Sequence, residues 1–109
     1  MNLLKNQIQL LGHTGMDPEI KSLEDGRRFA IFSMATNSSF HNAKGELEEN
    51  TYWHQVIFWH EPIVAVIEKY VSKGSKILIR GSLTTRSWED EAGLRHYRSQ
   101  VVGKELLLL

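Results

Sequence analysis

The sequence predicts an all-β domain, a small five-stranded barrel with one α-helix between strands 3 and 4. Three observations predict it. Most apolar residues alternate with polar ones, which is the period of a strand with one face buried. One segment alone, Glu61–Lys73, switches to helical spacing. The strand-like runs are short and bounded by turns rich in Gly, Asp and Asn. With 109 residues the chain makes one domain with a modest core.

Asn6–Gly12 sets Ile8 and Leu10 against Gln7 and Gln9, a half-buried strand. Gly15, Asp17 and Pro18 mark a turn. Glu19–Leu23 is a short strand, joined to the next by Asp25-Gly26, a two-residue hairpin signal. Arg28–Ser39 puts Ala30, Phe32, Met34 and Thr36 on one face. Its small residues Ala30, Ser33 and Ala35 predict a bend or the close approach of another element. Phe40–Asn50 is polar, contains Lys44-Gly45, and reads as an exposed hairpin loop. Thr51–His60 (TYWHQVIFWH) is a strand dense in aromatic and β-branched residues.

In Glu61–Lys73, Ile63, Val64, Ile67 and Val71 recur at helical spacing. Pro62 suits the first helical position and Gly74 the residue just past the end. Lys69 and Lys73 suit the negative end of the helix dipole. Ser75–Trp88 is a long strand with Ile77, Ile79, Gly81, Leu83 and Thr85 on one face, and Gly81 permits the sharp coiling of a closed barrel. Glu89–Gly93 is a turn and Leu94–Val102 the returning strand. Lys104–Leu109 either extends that strand or meets a partner chain. With the short Glu19–Leu23 strand left out of the count, three strands, a helix and two strands are the layout of the OB fold.

The strand Thr51–His60 has two demanding faces. Tyr52, His54, Val56, Phe58 and His60 lie on one, and Trp53, Gln55, Ile57 and Trp59 on the other. One buried core does not account for both, so the strand is either covered on both sides or presents aromatics to a ligand or partner. Flat rings with polar groups between them suit the stacking of unpaired bases. Core packing is the competing reading for Trp53 and Trp59. Trp88 shares a face with Arg80 and Arg86, among small hydroxyl residues. Arg86, Lys73, Arg80 and Lys5 form either a cationic track for phosphates or ordinary solvated charges.

Composition excludes other classes. The 13 basic and 13 acidic residues cancel, which argues against a purely electrostatic nucleic-acid binder but leaves room for a local basic groove. No cysteine is present, so neither disulfides nor thiolate metal sites arise. His54 and His60 share a strand face without a third ligand, so no metal site is predicted. No Gly-rich phosphate loop, nucleophile elbow or HExxH run occurs, so neither an enzyme nor a cofactor is expected. The N-terminus shows no cleavable leader and no apolar run is long enough to span a membrane, which predicts a soluble cytosolic protein.

The order of short motifs is more specific. They are Gly12 with Gly15-x-Asp17-Pro18-Glu19, Phe32–Thr36 (FSMAT), Thr51-x-Trp53-His54, Lys73-Gly74-Ser75, and Gly81-x-Leu83-x-Thr85-Arg86-x-Trp88-x-Asp90. Through them nearly the whole chain, to Val102, resembles the bacterial-type single-stranded DNA-binding protein (SSB) family. The resemblance implies that Phe40, Trp53, Trp59 and Trp88 stack on bases; Phe40 stands where tryptophan is usual, and Trp59 where phenylalanine is usual. It implies phosphate contacts at Lys73 and Arg86, and a subunit-interface place for His54. It also implies a homotetramer wrapped by single-stranded DNA, acting in the cytoplasm at the nucleoid in replication, recombination and repair. Family members usually end in a flexible tail with an acidic tip that recruits other proteins. This sequence reaches Leu109 as a single OB domain (1–109) without such a tail, so either recruitment by that route is lost or the chain is a truncated or specialised form. Sequence-independent binding of single-stranded DNA is thus the expected function. The alternatives are a primosome-type OB protein, a related dimer acting in replication restart, and an OB domain serving as a protein-interaction module.

Overall fold

The computed structural model describes residues 3–109; Met1 and Asn2, the start of the segment read as lacking a leader, lie outside the described residues. After a single 3-10 turn at Leu3–Lys5, the order is β1 (Ile8–Thr14), β2 (Glu19–Ser22), β3 (Arg28–His41), β4 (Leu47–Phe58), α1 (Glu61–Tyr70), β5 (Lys76–Glu89) and β6 (Arg95–Leu108). One sheet runs β1-β5-β6-β4-β3-β2, and β1 returns to pair with β3 at His13–Ala35 and Thr14–Met34. That second pairing closes the OB barrel from β1, β3, β4, β5 and β6, with β2 a short addition on β3. Ala35, one of the small residues expected to admit another element, is where β1 arrives.

Alternation builds the core. Leu10 from β1, Ala30, Phe32 and Met34 from β3, Val56 and Phe58 from β4, Ile77 and Ile79 from β5, and Val101 from β6 all turn inward. Val64 and Ile67 of α1 complete the same cluster. Phe32 and Phe58 stack with centroids 6.2 Å apart. Each such side chain, fully buried, contributes about 1.5–3 kcal/mol. At Gly81 the β5–β6 register slips, and a Cβ there would collide with the Val102 carbonyl oxygen. The two backbones pass too closely for any side chain, the physical basis of the coiling expected from this glycine.

Three local expectations need correction. The helix stops at Tyr70, not Lys73, because Val71 adopts extended backbone (φ −98°, ψ 127°) while its N–H still reaches the Ile67 carbonyl. Leaving the helix lets Val71 bury its side chain in the core. Consequently Pro62 is the second helical residue after the His60 cap, only Lys69 sits in the last turn, and Gly74 (φ 84°) belongs to the following turn. Second, Phe40–Asn50 is mostly not a loop: β3 and β4 stay paired out to His41–Leu47. Third, Asp25-Gly26 is not a two-residue turn; Leu23 and Arg27 pair across three residues, with Gly26 at φ 90°. Lys104–Leu109 takes the first of its two readings, since Leu106–Leu108 extend β6 along Ile79–Ile77.

The turns at the tips of the β3–β4 and β5–β6 ribbons share one chemistry. Asn42 Oδ1 accepts the N–H groups of Lys44 and Glu46, and Asp90 Oδ1 those of Ala92 and Leu94. Each is a side chain standing in for a backbone acceptor. The ribbons carry the molecule beyond its barrel: the radius of gyration is 16.2 Å, against about 13 Å for a compact domain of this size.

Candidate nucleic-acid interface

The strand register defines one continuous outer face. Ala35 pairs with Trp53 and Ser33 with Gln55. Ile57 lies beside Val102 in the parallel β4–β6 ladder, and further along the same two strands Trp53 and Arg98 line one groove. Across the next ladder Arg98 opposes Arg86, and His96 opposes Trp88. The face therefore reads, from β3 to β5, as a surface of rings, amides and guanidinium groups. A groove of about 450 Å³ lies on it, lined by Met16, Ser33, Trp53, Gln55 and Arg98 among others. That volume lies within the range of ligand clefts.

None of the aromatic candidates is sealed in the core. Trp53 is 62% exposed, Trp59 and Phe40 42%, and Trp88 41%. Trp53 lies across Gly15, where a Cβ would run into the six-membered edge of the indole. The glycine thus seats the ring against backbone, leaving its other side to solvent. Trp59 follows the end of β4. Its ring meets Phe29 at 4.8 Å, and the Arg27 guanidinium lies 5.9 Å from its centroid. Trp88 stacks on His96 at 5.5 Å, with Arg86 5.7 Å from the indole.

The sequence-predicted residues are not all brought together. Trp53, Trp88 and Arg86 share the outer face, and Trp59 stands at its far end, just past β4. Phe40 falls on the opposite face of the β3–β4 ribbon, paired with Glu48. Lys73 sits in the turn after α1, its N–H bonded to Asp17 Oδ1 at 2.7 Å, one residue from groove-lining Met16. His54 points with Val56 and Phe58 toward the barrel interior, its Nε2 2.9 Å from Thr36 Oγ1, and burial holds its pKa below the ordinary value. Arg80 is engaged by Glu105 and lies round the barrel wall.

Sequence reasoning missed Arg98, His96, Arg27 and Phe29. Arg98 and His96 join Arg86 and Trp88 only through the β5–β6 register, and a single chain does not state which residues oppose one another. Charge is also partitioned. Arg86 and Arg98 occupy the outer face, while acidic side chains gather at the two ribbon tips, Glu46, Glu48 and Glu49 on one and Glu89, Asp90 and Glu91 on the other. A neutral chain therefore carries a local cationic strip. Among the described residues no group of three or more His, Asp or Glu side chains is placed to hold a metal ion, and no helix is long and apolar enough to cross a membrane.

Comparison with known proteins agrees with this geometry. The profile of the "Single-strand binding protein family" matches residues 5–109. A single-stranded DNA-binding protein of Rickettsia felis is 39% identical, over 95% of this chain and 72% of its own length. One from Rhizobium meliloti is 41% identical, over 89% of this chain and 56% of its own. The solved Plasmodium falciparum SSB complex with ssDNA superposes with a TM-score of 0.89 at 33% identity, covering 95% of this chain and 94% of that one.

Proposed function

The chain belongs to the single-strand binding protein family, and from that premise we propose that it binds single-stranded DNA without sequence preference and without catalysis. The observation that carries the reading is a single outer face on which exposed Trp53 and Trp88 flank the facing pair Arg86 and Arg98. Bases stack on Trp53, Trp59 and Trp88. Only unpaired bases offer their faces, which is what selects single strands over duplex. Phe40 adds a ring on the reverse of the β3–β4 ribbon, so a strand that reaches it wraps around the ribbon edge. Arg86, Arg98 and Lys73 neutralise phosphates and release counterions. Holding transient single strands in this way serves replication, recombination and repair in the cytoplasm at the nucleoid.

Self-association belongs to the same proposal. On the outer wall formed by β1, β5 and β6, Leu11, Leu78 and Leu107 lie in one row across the strands, beside the row Gln9, Arg80 and Glu105. Leu11 and Leu107 are exposed, and a contiguous apolar patch on a sheet wall suits a symmetric contact between copies. A homotetramer is the expected assembly, and mass measurement in solution separates it from a dimer.

The test is a titration with oligo(dT) across salt concentrations. Tryptophan fluorescence should quench strongly, and affinity should fall as salt rises. No quenching at low salt would overturn the reading and favour a protein-interaction module.

A further inference from the structure

Trp88 differs from the other exposed rings in what stands behind it. It projects from a ribbon that has no core beneath it, yet the His96 imidazole and the Arg86 guanidinium both lie against its ring. The His96 imidazole stacks on the indole at 5.5 Å with an interplanar angle of 21°. The other edge of that imidazole is pinned, because Nε2–H donates to Asp90 Oδ2 at 2.7 Å. Asp90 is itself oriented before the histidine meets it. Its Oδ1 accepts the N–H groups of Ala92 and Leu94, so the turn leaves only Oδ2 free to point at the imidazole. The result is a linked series from turn to carboxylate to imidazole to indole.

We propose that His96, braced by Asp90, is a positioning residue that holds the Trp88 indole as a base platform and makes that platform responsive to proton concentration. This rests on the single-stranded DNA reading above. Charge on the imidazole strengthens both of its contacts. The bond to the carboxylate becomes charge-assisted, and the ring becomes a cation over an aromatic face. The charge also joins the cationic strip that meets phosphates. The charged groups facing His96 are Asp90 from the turn, Arg86 on β5 and Arg98 on its own strand. The two arginines oppose a further positive charge, and the Asp90 carboxylate offsets them at contact distance. Asp90 responds in kind: the hydrogen bond from His96 is the largest cause holding its carboxyl below the ordinary carboxylate value.

The experiment has a DNA-free arm and a DNA arm. In the Trp53→Phe/Trp59→Phe protein, Trp88 is the sole indole, and its fluorescence without DNA should change when the buffer is taken over a range from about pH 8 to about pH 5. That titration should vanish in the same protein carrying His96→Gln. In the DNA arm, wild-type affinity for oligo(dT) should rise roughly two- to fivefold on passing from the top to the bottom of that range. His96→Gln should flatten this gain, and Asp90→Asn should reduce it. A flat free-protein titration overturns the clamp whatever DNA does. A clamp that titrates while His96→Gln keeps the full wild-type pH gain overturns the positioning role. Failure of wild-type protein to bind oligo(dT) at any pH overturns the DNA reading and this role with it, and the free-protein signal then shows that the binding premise was at fault.

Discussion

The barrel body and the two ribbons are made of the same strands, β3 to β4 and β5 to β6, but they are held by different forces. Within the barrel, Ala30, Phe32, Met34, Val56, Phe58, Ile77 and Ile79 turn one face of each strand into a core, and a one-residue slip would expose all of it. Past Asn37 and Leu83 neither face is buried. There the ladders are kept by Asx-braced turns, by Thr51 bonded to Asn37, and by Thr84 bonded to the Gln100 carbonyl. Stability resides in the body, and the ribbons are free to spend both faces on exposed rings and charge. Trp53 stands at the junction, seated on Gly15 of the body. Trp88 stands wholly on a ribbon and is braced by a neighbouring imidazole instead.

That division can be broken experimentally. The largest effect should come from Phe58→Ala, which empties a fully buried site and should cost about 3–5 kcal/mol of folding stability, read by urea denaturation. Trp53→Ala and Trp88→Ala should each weaken oligo(dT) binding by about 1–3 kcal/mol while the unfolding midpoint stays close to wild type. Loss of fold in the tryptophan variants, or an unchanged midpoint in Phe58→Ala, would erase the contrast. Smaller still, Arg98→Ala should reduce the slope of log affinity against log salt by about 0.7, a change that Arg80→Ala, already occupied with Glu105, should not reproduce.

The smallest effect is one of pH on the body alone. Burial depresses the His54 pKa from its ordinary 6.5, so the unfolded chain takes up a proton before the folded one does. Stability is therefore full above pH 6.5 and declines as the pH falls through the lower folded value. Asp25, Glu61 and Asp90 are also depressed, chiefly by hydrogen bonds from Arg27, Arg28 and His96. Their stabilisation is lost only below the ordinary carboxylate values of 3.8 to 4.5. Denaturation midpoints above pH 4.5 should thus respond to His54→Gln, and a pH dependence there identical to wild type would remove burial of His54 as its cause.

Much of this was legible in the chain, and the misreadings have a common source. The barrel strands were readable because one buried face leaves a period of two in the sequence. The distal halves of β3 and β4 were not, since a ribbon wet on both faces has the composition of a loop. Val71 has a spacing that fits helix and extended backbone alike, and only the core position it reaches from extended backbone separates them. The rings Trp53, Trp59 and Trp88 stood out by type, but Arg98 and His96 did not, because an isolated arginine or histidine in a polar strand is unremarkable until its cross-strand neighbour is known.

What the residues determined on their own was local: which segments are strands, where turn chemistry stops them, and which aromatics exceed the needs of a core. Which side of the barrel those aromatics share, and which cations stand beside them, was decided only when β1 met β3 and β6 lay down between β4 and β5. Closure sets register, and register brings together Trp53 with Arg98 and Trp88 with His96, side chains more than forty positions apart in one case and eight in the other.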